Sequence, residues 1–358
     1  MSLQLSITPH LLQFKFDART SRGAMATHRV YYLTLFDTAN PGIAGVGECA
    51  PLPGLSLDAT PDLEPKLKVL QEWINHSEVS ADLLQDYLVS DALREWPALR
   101  FGLETALLDL KNGGRKRIYD NAFSRGKQGI PINGLVWMGN KAFMQEQIHQ
   151  KLTQGYTCLK LKIGSLDFAT ELEILKQIRE VASAVDLTIR VDANGAFSPE
   201  EAFRKLERLA RYDIHSIEQP IRQGQLEQMQ QLCAYTPIPI ALDEELIGVQ
   251  DAEQQVALLD FVKPQYIILK PTLVGGMQAS AAWIDLAETR KIGWWMTSAL
   301  ESNIGLNAIS QFTANYPVSL PQGLGTGQLY HNNIESPLQI QAGTLWHTAG
   351  EWASLPQG

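Results

Sequence analysis

The sequence predicts an α/β fold: a modified (β/α)7β TIM barrel carrying an α+β capping domain. Three observations predict it. From about residue 131 onward, short apolar runs alternate with amphipathic helical text, the pattern of parallel strands joined by crossover helices. The first quarter instead alternates at period two, as antiparallel strands do. The tail, about 323–358, returns to strand-like text in PLQIQAGTLWH. Closing seven strand–helix units into a barrel is the economical arrangement. A doubly wound open sheet is the alternative, but no GxGxxG follows the first strand.

Residues 2–16 and 28–36 (HRVYYLTLF) are rich in β-branched and aromatic residues and read as strands. DARTSRGAMAT (17–27) between them is polar and contains glycine, so a loop is expected. GVGECAPLPG (45–54) is a third extended piece ending in a Pro/Gly cluster. Helices are expected at 61–77 and 97–111, the second with Leu99, Leu103, Leu107 and Leu110 on one face. The barrel strands are expected at 132–137, 158–164, 187–194, 215–220, 238–245, 266–271 and 293–298. Helices near 141–154, 167–184, 199–211, 224–235, 250–258, 276–290 and 303–315 separate and follow them. One helix start is explicit: Ser198 as N-cap, Pro199 in the first turn and Glu201 completing a capping box. The expected division is a capping domain of 1–125, joined by the tail 323–358, and a barrel of 126–322. The tail is expected to pair back onto the first unit.

Composition sets the class. At 358 residues, 45% hydrophobic and 19% charged, the chain is an ordinary globular protein able to bury a large core. The net charge of −9 argues against nucleic acid or an anionic membrane as partner. Three widely spaced cysteines make no disulfide framework and suit a reducing compartment. No secretory signal or membrane span is expected, so the chain reads as cytoplasmic. Its oligomeric state is not legible.

The chemistry is written at the ends of the apolar runs, where a parallel barrel carries its active site. Lys160 and Lys162 in CLKLKIG are two apart, so they share one strand face while Leu161 takes the other. Paired buried ammonium groups depress each other's pKa, which suits a lysine base. A lone KxK is more often a solvated edge strand. Asp192, Glu218 and Asp243 end three consecutive strands. Any one of them is an ordinary helix cap; three in register converge, and converging carboxylates repel unless a cation sits among them. An all-oxygen set with no histidine or cysteine suits Mg2+. Asn194 and Glu244 follow closely as supporting residues, or as caps and turns. Lys270 ends the next strand, across the barrel from Lys162. A metal with lysine bases fits proton abstraction next to a carboxylate, where developing enediolate charge must be stabilised. Ser298 and Ser302, beyond the seventh strand, either offer hydrogen bonds to a substrate or turn the chain and cap the next helix. Arg22 is either a lid residue or a solvated loop arginine. Glu301 either orients a lysine or faces solvent, and Pro51, Leu52 and Pro53 form an apolar wall or a rigid loop.

Taken together, these motifs resemble the enolase superfamily, in its muconate-lactonizing subgroup. They are RFGLETALLDL (100–110), KxK at 160–162, VDAN at 191–194, IEQP at 217–220, LDEE at 242–245 and ILKP at 268–271. The resemblance spans nearly the whole chain. It implies Mg2+ (Mn2+ as substitute) on Asp192, Glu218 and Asp243, a base at Lys162, Lys160 against the substrate carboxylate, and Lys270 facing the intermediate. TSALESNIGL (297–306), QGLGTGQLY (322–330) and TSRGAM (20–25) are similar to the branch that dehydrates 2-succinyl-6-hydroxy-2,4-cyclohexadiene-1-carboxylate in menaquinone synthesis. GLGTG lacks the Asp-x-Asp that dipeptide epimerases carry there. The rivals are an N-acylamino acid racemase or dipeptide epimerase, a muconate-type cycloisomerase, and a binding protein that lost turnover. No ligand or lysine is missing, which counts against the last.

Overall fold

A computed structural model describes residues 2–20 and 23–356. The chain opens with an antiparallel sheet of β1 (Leu3–Thr20), β2 (Gly23–Asp37) and β3 (Asn40–Cys49) in sequential order. Two corrections follow. The hairpin runs through most of the segment expected as a loop at 17–27, because after a register shift between Gln13 and Ala18 the backbone pairs again, Ala18 with Met25 and Thr20 with Gly23. A polar ribbon keeps its backbone ladder without an apolar pattern to betray it. The third strand starts earlier than expected and stops at Cys49, before the prolines, which supply no N–H to a ladder.

Helices α1 (Leu63–His76) and α3 (Pro97–Lys111) pack on this sheet, and α2 (Ala81–Val89) packs on α3. The sequence reading missed α2, although Ser80 caps it by accepting from Leu83 N at 3.1 Å and Leu84 and Leu88 are its buried positions. Leu99, Leu103 and Leu107 of α3 are buried against β1–β3 as the periodicity predicts. The approach is close: a Cβ on Gly47 would stand 1.9 Å from the Gly102 carbonyl oxygen. Only glycine permits that crossing.

The barrel follows: β4 (Ile130–Pro131), β5 (Gly134–Val136), α4 (Lys141–Thr153), β6 (Cys158–Lys162), α5 (Phe168–Val181), β7 (Thr188–Asp192), α6 (Pro199–Leu209), β8 (Ile214–Glu218), α7 (Leu226–Tyr235), β9 (Ile240–Leu242), α8 (Ala252–Val262), β10 (Tyr266–Leu269), α9 (Pro271–Val274), α10 (Met277–Thr289), β11 (Gly293–Met296) and α11 (Asn303–Thr313). Strands β5 to β11 form one parallel seven-stranded sheet in sequential order. Gln322 and Gly323 then bridge in parallel to Ile132 and Thr297, so the sheet closes on itself and the open-sheet alternative falls. The capping box of Ser198 and Glu201 is present at the start of α6.

Alternation along each strand sorts its side chains. Leu159, Leu161, Ile189, Val191, Ile217, Ile240 and Leu242 join the large apolar cluster. Fully burying each such side chain contributes about 1.5–3 kcal/mol. The intervening positions, Lys160, Lys162 and Asp192 among them, face the barrel axis. In the tail, Leu329–His331 lies along Gln13–Lys15 of β1 as expected. PLQIQAGTLWH behaves differently: β12 (Leu338–Gln341) and β13 (Thr344–His347) form a hairpin that pairs with β4, next to the barrel, and not with the first sheet.

Candidate active site

Strand register assembles the site. Lys162 is the direct partner of Asp192 on the next strand, and Asp192 of Glu218 on the one after. Asp243 follows β9 immediately. Carboxylate oxygens of Asp192, Glu218 and Asp243 all lie within 4.8 Å of one another, and the three side chains are buried. Lys160 Nζ bonds Glu218 and stands 2.9 Å from Asp192 Oδ2. Lys162 Nζ donates to Asp192 Oδ2 at 2.6 Å and to Asn194 Oδ1 at 2.8 Å. Lys270 Nζ donates to Asp243 Oδ2.

The electrostatics follow from this packing. Burial would raise the Asp192 pKa, but the Lys160 and Lys162 ammoniums hold it well below the usual carboxylate range. Glu218 is pushed up to about 8, first by burial, with Lys160 opposing and the charges of Asp192 and Asp243 adding to the rise. Lys160 contradicts the expected mutual depression of paired lysines. Burial lowers its pKa, but Asp192, Glu218 and Asp243 outweigh burial and leave it above the ordinary value. Lys270 is likewise raised, with burial opposing and Asp243 prevailing.

These residues fit a hard divalent cation. Every donor is a carboxylate oxygen, and Glu218 Oε1 is buried without a hydrogen-bond partner among the described residues. An orphaned carboxyl oxygen beside two further carboxylates is the chemistry of a cation ligand set. The supporting residues are tied in. Asn194 adopts a left-handed backbone, φ +44°, and donates to Glu244 Oε1 at 3.1 Å while accepting from Lys162. Gln219 was not singled out from sequence. Its Oε1 accepts from Asp243 N at 3.2 Å and its Nε2 donates to Glu245 Oε2 at 3.0 Å, fixing the turn that carries Asp243. IEQP signalled it only as part of a motif.

A cavity of about 770 Å³, counting its open mouth, lies over this floor. Lys160, Lys162, Asn194, Glu244 and Lys270 line it on one side. Leu52, Leu55, Leu135, Trp137 and Leu300 give it an apolar wall, and Ser298, Thr297 and Thr326 a polar edge. Lys162 on β6 and Lys270 after β10 are four strands apart in the ring and reach the same space. The serines separate. Ser298 lines the cavity, donates to Glu301 and accepts from Thr326 Oγ1 at 2.7 Å. Ser302 is fully buried and is not among the lining residues: it caps α11 and donates to Glu48 Oε2 at 2.6 Å. Glu48, unforeseen from sequence, also accepts from Ser302 N and Gly305 N at 2.8 Å each, binding the first sheet to α11. Glu301 meets neither lysine nor solvent; it accepts from Ser298 and Thr272. Arg22 lies outside the described residues.

The family described as "Enolase C-terminal domain-like" matches residues 143–350. The chain is 48% identical to the o-succinylbenzoate synthase of Desulfotalea psychrophila, over 96% of this chain and 98% of that protein. The crystal structure of MenC from Desulfotalea psychrophila superimposes with a TM-score of 0.85 at 46% identity, covering 97% of this chain and 100% of that one. An N-succinylamino acid racemase of Thermus thermophilus is 27% identical over 82% of this chain and 77% of that protein. The ring of lysines and carboxylates thus sits in a chain that belongs to the enolase superfamily, and within it to the o-succinylbenzoate synthase family.

Proposed function

We propose that this chain dehydrates 2-succinyl-6-hydroxy-2,4-cyclohexadiene-1-carboxylate to o-succinylbenzoate in menaquinone biosynthesis, with Mg2+ held by Asp192, Glu218 and Asp243. The observation that carries the reading is that Lys162 and Lys270 reach one cavity from strands four apart, with the carboxylate triad between them. The near-full-length likeness to the Desulfotalea psychrophila synthase supports the choice of substrate.

Bound Mg2+ supplies Lewis-acid stabilisation of the negative charge that develops on the substrate carboxylate. Lys162 Nζ takes the α-proton; Asp192 and Asn194 fix where that nitrogen points. Lys160 offsets the carboxylate charge, and Lys270 stabilises the enediolate from the opposite side. The ring then expels its hydroxyl, and Lys162 returns the proton to it, so water leaves by a syn elimination. The leucines and Trp137 exclude solvent from the reacting ring. In this reading Asn194 and Glu244 hold the lysine and ligand geometry, while Ser298, its hydroxyl and N–H spent on Glu301 and Gly323, shapes the polar edge of the cavity beside the succinyl arm. Mn2+ is the expected substitute metal. Residues 1–125 with 323–358 act as the cap, and 126–322 as the catalytic barrel. The three cysteines are buried and free, which supports a cytoplasmic place of action; among the described residues no helix is long and apolar enough to cross a membrane.

A second reading, racemisation of N-succinylamino acids, is favoured by the presence of a lysine on each side of the cavity. Assaying both reactions on the purified protein with Mg2+ tests the proposal. Rapid racemisation with no dehydration would reject the dehydratase assignment.

A further inference from the structure

His28 sits on β2, in the first sheet, far in sequence from the lysines and carboxylates of the barrel site. It is 1% exposed. Its Nε2 lies 3.2 Å from the Pro51 carbonyl oxygen, and its Nδ1 lies 3.1 Å from the Leu300 carbonyl oxygen. The two carbonyls belong to two different loops. Pro51 precedes Leu52, on the loop after β3. Leu300 lies on the loop between β11 and α11. Leu52 and Leu300 both line the cavity and belong to one buried apolar cluster. A single imidazole therefore spans the two loops that carry the apolar wall.

Leu300 itself needs holding. It is a non-glycine residue in the left-handed region, φ +67°, a conformation that persists only where its surroundings over-determine it. Its carbonyl also accepts from the Tyr330 hydroxyl at 2.6 Å, and its N–H donates to Ser298 Oγ at 3.2 Å. Burial holds the His28 pKa below its ordinary value despite the two carbonyls. A neutral imidazole has one N–H and can donate to one carbonyl only. Tyr330 supplies Leu300, which leaves the ring proton for Pro51, so His28 holds the Pro51 carbonyl while Tyr330, its hydroxyl 3.5 Å from the ring Nδ1, holds that of Leu300.

We propose that His28, with Tyr330, is a positioning residue that fixes the separation of the Pro51–Leu52 and Leu300 segments and so sets the width of the substrate cavity. His28 touches no reacting atom; it acts through the two leucines. The inference rests on the functional reading above for its kinetic test, and stands apart from it for its structural one.

The test compares wild type with His28→Ala, His28→Gln and Tyr330→Phe in the Mg2+-loaded enzyme. His28→Ala should raise KM for the cyclohexadiene substrate about tenfold and change kcat by less than about threefold, the signature of lost binding and not of lost chemistry. His28→Gln, whose Nε2 reaches the place of the ring Nε2 and can donate to Pro51, should recover most of that loss. Tyr330→Phe keeps its ring against Phe14 and should shift KM the same way, by less. Should His28→Ala fail to fold, His28→Gln and Tyr330→Phe still carry the comparison. Amide hydrogen exchange should quicken in both 52–57 and 299–302 in Tyr330→Phe and His28→Ala, a readout independent of any substrate. Unchanged KM and unchanged exchange in both loops would overturn the proposal, as would an equal fall in kcat and kcat/KM. A wild type inactive on the substrate, with the exchange result as expected, would reject the function and leave the positioning role standing.

Discussion

Lys162 Nζ lies 2.6 Å from Asp192 Oδ2, its direct register partner on the adjacent parallel strand. The proposed general base and a proposed metal ligand are thereby locked to each other by one backbone ladder. Any shift of β6 against β7 would displace both at once, so the geometry of proton transfer is fixed by the sheet and not by a loop.

The closeness of the three carboxylates makes metal dependence the first expectation. EDTA should abolish turnover and Mg2+ restore it, with oxygens about 2.1 Å from the ion in a metal-bound structure. Mg2+ should also raise Tm, because a ligand that binds only the folded state stabilises it. Full activity in a metal-stripped sample would sink the ligand assignment.

Lys162→Ala should lower kcat by more than about a hundredfold while far-UV circular dichroism stays that of the wild type. Lys160→Ala should also be severe, since it leaves the buried Glu218 and Asp192 without a shared cation. Near-normal turnover in Lys162→Ala would reassign the proton transfer.

Lys270→Arg separates charge from proton transfer. Arginine keeps the cation but does not give up its proton at working pH. Dehydration should remain measurable if Lys270 only stabilises charge. Racemisation of an N-succinylamino acid, which needs a proton carrier on each face, should disappear. Loss of both reactions together would make Lys270 an obligatory acid.

Glu48 gives a stability signature. Burial pushes its pKa up to about 7, against the donors from Ser302 and Gly305. For a carboxyl whose folded pKa is raised, the folded state binds more protons than the unfolded one between about pH 4.5 and 7. Its contribution is full below that window and lost as pH rises through it. Denaturant unfolding at pH 5 and pH 8 should show a fall of about 2.5 kcal/mol from this group, and Glu48→Gln should flatten that fall. An identical pH slope in the variant would refute it.

Much of this was legible in the sequence because periodicity and strand ends are local signals. Six of the seven barrel strands fall within their predicted runs and β8 starts one residue early; Asp192, Glu218, Asp243, Lys162 and Lys270 sit at or just beyond strand ends, with Lys160 one alternation back from Lys162 in β6. What the sequence concealed is long-range. Ser302 is engaged by Glu48, 254 residues away, and no spacing rule links them. The 17–27 ribbon lacks an apolar stripe, so nothing in its composition separates strand from loop. PLQIQAGTLWH announces a hairpin but not its neighbour, since two residues of β4 are too few to leave a pattern. Lys160 was misjudged electrostatically because its carboxylate neighbours come from other strands.

The closure of the barrel by Gln322 and Gly323 has a consequence for synthesis. Until those residues leave the ribosome, β5 and β11 are open edges with unsatisfied backbone groups, the kind of surface that recruits stray strands. The proposed catalytic residues have all been made by then, since Lys270 precedes the closing pair, yet the enclosure they need is incomplete. The nascent chain therefore carries its chemistry before it carries a finished vessel for it, and a polypeptide cut short of Gln322 should be sticky and idle.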